Sequence, residues 1–109
     1  MGDRVSISFR NGTQESVALF SHWRGMALVE EAQGYVQALH ISIERELGLK
    51  SLPLGRMEPG TVMVDFLCGL LGRMKGVEYD LHLGKDADEG DNSDNGHHVI
   101  ELAEERGEA

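Results

Sequence analysis

One cysteine, Cys68, in 109 residues rules out an internal disulfide and a multi-thiolate zinc site, so neither a disulfide-stapled secreted scaffold nor a zinc finger is available. The cytoplasm is the default compartment for such a chain. No apolar run approaches the length of a membrane span, and Met1-Gly2-Asp3-Arg4-Val5 has no apolar stretch of the signal-peptide kind. Gly2 invites comparison with a myristoylation motif, but no basic residues reinforce it. Basic residues are scarce: 10 Lys and Arg against 19 Asp and Glu leave a formal charge of −9, and no basic stripe exists to neutralise phosphates, which argues against nucleic-acid binding. There is no Gly-x-Ser-x-Gly elbow, so Ser21-His22-Trp23 is not a hydrolase signature, and no complete catalytic signature is found. No internal repeat of solenoid period is present.

What the chain does have is periodicity. Val5, Ile7 and Phe9 alternate with Ser6, Ser8 and Arg10, the period of a strand with one buried face. Asn11-Gly12 supplies the positive φ values of a tight hairpin turn, so the run Glu15 to Trp23 returns antiparallel. Its apolar residues fall on both parities, Val17, Leu19 and Trp23 against Ala18 and Phe20, which predicts a strand covered on both faces or bulged. Leu28, Ala32, Tyr35, Val36, Leu39, Ile43 and Leu47 recur at helical spacing, with Gly48 at the C-cap position. Leu49 to Glu58 reads as a connector.

Pro59 suits the first turn of a second helix, whose stripe is Met63, Phe66, Leu67, Leu70, Leu71 and Met74 and whose end is Gly76. Cys68 reads as a small core residue near the edge of that stripe, Gly69 and Gly72 as sites of close approach by another helix, within the chain or across a dimer, and Trp23 as a core anchor or else an interface anchor. Val77, Tyr79, Leu81 and Leu83 predict a third strand, and His98, Ile100 and Leu102 a fourth that pairs with it. The expectation is an α+β fold, ββααββ, with a four-stranded, largely antiparallel sheet and both helices packed on one face. Residues 1–103 form a single domain, and 104–109 a frayed acidic tail.

Charge is unevenly placed along this plan. Residues 1–77 are neutral overall, whereas residues 78–109 carry eleven acidic side chains against Lys85 and Arg106. The densest part, Gly84 to Gly96, lies between the third and fourth strands and is too long for an ordinary hairpin loop. Hard divalent cations take six or more oxygen ligands from carboxylates, amides and carbonyls on a chain that curls tightly. Asp86, Asp88, Asp91, Ser93, Asp94 and Asn95, with the backbone of His97, are the candidate ligands for Ca²⁺ or Mg²⁺.

Asp91-x-Ser93-x-Asn95-Gly96 resembles the first half of an EF-hand calcium loop, which implies Asp91, Ser93, Asn95 and the His97 carbonyl as ligands. Leu102 stands where that loop supplies a bidentate Glu, with Glu101 one place early, so the affinity implied is weak, on the order of 10⁻⁴ to 10⁻³ M. The competing reading is a set of solvated turn residues. Five histidines, His22, His40, His82, His97 and His98, could ligate zinc or nickel; of these, His82 and His98 would meet if the last two strands pair.

Ile7 to Gly12, Leu19 to Trp23, Thr61 to Phe66, Leu83 to Asp86 and Asp91 to His97 together resemble a set of short, uncharacterised archaeal and bacterial proteins, a likeness that implies no activity. Two functions follow as expectations: a small protein whose acidic loop weakly binds a divalent cation, or a non-enzymatic interaction module. The second would self-associate as a homodimer, or dock on a basic protein partner, through its acidic end and Trp23.

Overall fold

The computed structural model describes residues 2–42, 58–74 and 76–102. The elements run β1 (Val5–Asn11), β2 (Gln14–Glu15), β3 (Ala18–Ser21), α1 (Met26–Ser42), α2 (Pro59–Arg73), β4 (Leu81–Gly84) and β5 (His97–Glu101), with a 3-10 turn at Val77–Asp80 before β4. The fold is α+β, as expected, with a mostly antiparallel sheet and two helices.

The predicted hairpin forms, but its turn lies one residue later than expected: Asn11 pairs with Gln14, so Gly12 and Thr13 make the turn, and of Asn11 and Gly12 only Gly12 takes a positive φ, +67°. β1 pairs antiparallel with β2 and β3. The return strand is both bulged and covered on its two faces. Arg10 faces Glu15 while Ile7 faces Leu19, so the return strand has one extra residue over this stretch. Val17 takes up that extra position and is exposed, while the Ser16 hydroxyl accepts the Phe9 amide N–H at 3.0 Å and keeps that donor satisfied. Ala18, Leu19, Phe20 and Ser21 are all buried.

The two ends of the chain join differently from the expectation. β4 pairs antiparallel with β3, whereas β5 pairs in parallel with β1, from Ser6 opposite His97 to Arg10 opposite Glu101. The last two strands therefore occupy opposite edges of the sheet, and residues 85–96 cross from one edge to the other. The predicted third strand is also shorter: its first half is the 3-10 turn, Tyr79 is exposed, and Leu83 is half-exposed. Alternation alone could not foresee this, because Val77 to Leu83 carries the same pattern whether or not its first turn coils.

Val5, Ile7, Phe9, Leu19, Ile100 and Leu102 form the sheet's contribution to the core. Against them α1 sets Leu28, Val29, Ala32 and Val36, and α2 sets Val62, Met63, Phe66 and Leu70. Phe9, Tyr35 and Phe66 meet edge to face, with centroids 5.4 to 6.2 Å apart. Each fully buried large side chain contributes on the order of 1.5–3 kcal/mol through apolar burial. Pro59 is buried at the first turn of α2, as its missing N–H allows. Ile43, Leu47 and Gly48, the predicted end of the first helix, lie outside the described residues, as do the connector to Met57 and the tail from Ala103.

Three side-chain expectations are corrected. Cys68 is exposed, because its place on α2 falls outside the arc that Met63, Phe66 and Leu70 turn to the sheet. Among the described residues of the chain no helix approaches Gly69 or Gly72: a methyl group at Gly72 would meet nothing within 4 Å, and at Gly69 only Arg73. Trp23 is 59% exposed and is not a core anchor.

Residues 85–96 lie across the second face of the sheet. There the His82 ring stacks flat on Phe20 at 4.7 Å, and Gly90 passes directly over both. A Cβ at Gly90 would sit 2.6 Å from His82 Nε2 and 2.7 Å from the Phe20 ring, so Gly90→Ala is expected to lower stability by about 1–3 kcal/mol in urea denaturation. Gly34, exposed in α1 with open space around its Cβ position, is the contrast: Gly34→Ala is expected to raise stability by about 0.5–1 kcal/mol.

The Tyr35 hydroxyl donates to Asp65 at 2.5 Å. Burial, then that hydrogen bond, pushes its pKa above the usual tyrosine value. A raised folded-state pKa means the stabilisation is complete below the ordinary value near ~10 and is lost as pH rises from there through the raised one. Stability followed by circular dichroism should fall in that alkaline range, and Tyr35→Phe should remove this component.

Candidate functional site

Every candidate ligand of the acidic loop can be placed, and the loop already holds a positive charge: the guanidinium of Arg4. Arg4 sits just before β1, where the returning chain passes. Its Nε lies 3.0 Å from Asp91 Oδ2, and its Nη1 lies 3.4 Å from Asp94 Oδ2. Its backbone N–H also donates to Asp94 Oδ2 at 2.9 Å, and its carbonyl accepts the Asn95 amide at 2.9 Å. Asn95 Nδ2 reaches Asp3 Oδ1 at 2.6 Å. Asp91, Asp94 and Asn95 thus converge on the Asp3-Arg4 segment.

The remaining candidates serve the loop's own backbone. Asp86 Oδ1 accepts the Asp88 amide at 3.0 Å, and Asp91 Oδ1 accepts the Ser93 amide at 3.0 Å, each an Asx turn that tightens the chain. Glu89 accepts the Lys85 amide at 2.7 Å. Asp86 and Asp88 are exposed and do not reach Arg4. Among the described residues, no group of three or more His, Cys, Asp or Glu side chains is arranged to hold a metal ion. The half-loop that resembles an EF-hand therefore spends its first ligand on Arg4 and Ser93.

His97, proposed as a ligand through its backbone, has its ring on the loop-covered face between two serines. Ser6 Oγ lies 2.6 Å from Nδ1 and Ser8 Oγ 3.1 Å from Nε2. His98 points the opposite way and bonds the Asn95 carbonyl through Nε2 at 2.8 Å. The predicted meeting of His82 with His98 does not occur, because β4 and β5 are separated by β3 and β1. Asp80, which the sequence did not single out, ties the end of β3 to the start of β4. It accepts the Ser21 hydroxyl at 2.7 Å and the amides of His22 at 2.9 Å and Trp23 at 2.8 Å. An aspartate next to a strand gave no signal of that role, since its partners lie nearly sixty positions earlier.

A second feature lies at the far edge. Leu81 and Leu83 of β4 face the helix side, where Leu67 and Leu71 of α2 stand opposite them; with Leu19 and His82 they line an open groove of about 250 Å³. Leu71 and Leu83 are 40% and 53% exposed, so the groove's apolar surface meets solvent among the described residues. None of this was legible beforehand, because Leu71 and Leu83 fit the apolar stripes of their elements as core residues.

The electrostatics give a direct test. The Ser93 hydroxyl and amide, then the Arg4 charge, hold the Asp91 carboxyl below its ordinary value. A depressed folded-state pKa means its contribution is present above the ordinary aspartate value near ~3.9 and is lost as pH falls through the lowered one. Carbon-detected titration should place the Asp91 midpoint below that ordinary value, and Ser93→Ala should raise it. Arg4→Met keeps the side chain's length but leaves Asp91 and Asp94 without their counter-charge, so this variant should respond to added Ca²⁺ more strongly than the unmodified protein in amide spectra.

Compared with protein-family models, curated proteins and solved structures, the chain matches none of them. Its functional reading rests on its own geometry.

Proposed function

We propose that the protein is a non-enzymatic interaction module whose β4 edge receives an extended, basic segment of another protein. The observation that carries this is the coincidence of an unpaired strand edge with an apolar groove. Among the described residues no strand pairs with the outer edge of β4, and the groove between Leu81, Leu83, Leu67 and Leu71 runs beside it. An added strand would complete the β4 backbone hydrogen bonds and place alternate side chains in the groove. Exposed Trp23 and Tyr79 stand near the start of β4, joined to it through Asp80, and aromatic residues of this kind are common binding anchors.

Charge specifies the partner. Glu78 and Asp80 precede β4, and Asp86, Asp88 and Glu89 follow it, within a chain of net charge −9. A segment bearing Lys and Arg around apolar residues is attracted to this edge, whereas an antiparallel second copy would set Asp80 of one molecule toward Asp86 of the other. The other reading, a divalent cation on the loop, must displace Arg4 from Asp91 and Asp94. Such a module fits the cytoplasm, where a lone exposed cysteine stays reduced.

A synthetic peptide alternating valine and lysine, titrated into the labelled protein, should produce saturable amide shifts at 67–71 and 81–85. Leu83→Asp should weaken binding about tenfold, equivalent to ~1.4 kcal/mol. A glutamate-for-lysine peptide should not bind, and added salt should weaken the complex. Shifts confined to residues 86–94 would show charge attraction alone, and a concentration-dependent dimer in sedimentation would assign the edge to a second copy; either result overturns the proposal.

A further inference from the structure

Beneath the acidic loop lies a chain of hydrogen bonds whose direction can be worked out atom by atom. Asn92 Nδ2 contacts the Ala87 carbonyl at 3.2 Å and Ser6 Oγ at 2.9 Å. A carbonyl only accepts, so the amide nitrogen is the donor, and Ser6 Oγ accepts its second hydrogen. Ser6 is fully buried, and its own hydroxyl hydrogen is directed to His97 Nδ1 at 2.6 Å. At the other end, Ser8 donates to the Glu15 carboxylate at 2.5 Å, so its oxygen must accept from His97 Nε2 at 3.1 Å. Each bond is satisfied by one species, the neutral imidazole with its hydrogen on Nε2.

The serine, histidine and glutamate do not form a nucleophile with its base. Ser8 is 1% exposed, and its hydrogen goes to Glu15 rather than to the imidazole.

We propose that His97 is a proton-sensitive latch: as the neutral ring it fastens the acidic loop 85–96 to the sheet through Ser6 and Asn92, and on protonation it releases that loop. A hydrogen on Nδ1 reverses the bond to Ser6. The buried Ser6 hydroxyl then receives hydrogens from both sides and has no acceptor among these partners for its own. The two sides of the ring are not equivalent in what can give way. On one side Glu15 Oε2, 3.7 Å from Nε2, and Ser8 hold the imidazolium on the sheet. On the other, Asn92 belongs to the loop, so the loop is the part that moves.

The charged and titratable groups around this ring are few. Glu15 faces it from β2, and Asp91 and Asp94, paired with Arg4, lie on the loop beside Asn92. His98 lies on the opposite face of β5 and bonds Asn95, and His82 lies under Gly90 at the other end of the loop. His82 and His98 are further imidazoles near the loop and are the groups to separate from His97.

Amide hydrogen exchange of residues 91–96, corrected for the intrinsic effect of pH on exchange, should show protection falling roughly tenfold between neutral and mildly acidic solution, the effect of losing one buried hydrogen bond. His97→Gln replaces the ring by a side chain that donates and accepts without titrating; in this variant the step should vanish, while His82→Gln and His98→Gln should retain it. Nitrogen-15 spectra of the unmodified protein at neutral pH should show the Nε2–H tautomer, a readout that does not depend on any variant folding. An Nδ1–H tautomer, the absence of a step in the unmodified protein, or a step that survives in a folded His97→Gln would each overturn the latch.

Discussion

The constraint on which this structure depends is that β1 is buried on both faces by unlike material. Val5, Ile7 and Phe9 turn toward the helices, where apolar contact suffices. Ser6 and Ser8 turn the other way and are as fully buried, so their hydroxyls need polar partners away from water. Asn92 of the loop 85–96, the His97 ring and Glu15 provide them. To do so the chain must leave β4 at one edge, cross the second face, and re-enter at the far side of β1. Parallel pairing of β5 follows from that crossing, since a hairpin return beside β4 would leave Ser6 and Ser8 uncovered.

This explains how much of the fold was legible in the sequence. Helix stripes such as Met63, Phe66 and Leu70, a tight hairpin turn after β1 and the apolar parity of β1 each follow from local pattern, and each appears in the structure, the turn shifted one residue to Gly12-Thr13 because Asn11 pairs with Gln14. The pairing of β5 does not, because Ile100 and Leu102 alternate identically in a parallel and an antiparallel ladder. Serine is the other source of ambiguity. Opposite Val5, Ile7 and Phe9, the residues Ser6 and Ser8 read as a wet face, yet a hydroxyl is small enough to bury once it is hydrogen-bonded. The bulge was visible only as a conflict, with Ala18 and Phe20 out of phase with Val17 and Leu19; the conflict is real, because both faces are covered and one residue is extra.

The candidate site was legible in composition and not in geometry. Negative charge does collect between the last two strands, and it does gather around a cation. That cation is Arg4, nearly ninety positions earlier in the chain, brought close by the β1–β5 pairing that local patterns could not reveal. Ion pairs this exposed contribute little to stability. Their importance here is positional, because Arg4 also offers its amide and carbonyl to Asp94 and Asn95 and so fixes where the loop rejoins the sheet.

The two edges of the sheet are treated differently, and the difference bears on function. Exposed edges invite pairing, and proteins guard them with charge. β5 is guarded: Glu101 is ion-paired with Arg10, and the acidic loop arrives at its start. β4 presents leucines at 81 and 83 toward an open groove, and its nearest charges lie beyond its two ends rather than along it. If β4 receives a partner as proposed, an apolar strand with acidic ends favours a basic chain over an acidic one or a second copy. Selectivity of that kind needs no catalytic group, only an unoccupied row of backbone donors and acceptors beside a surface that is costly to leave wet.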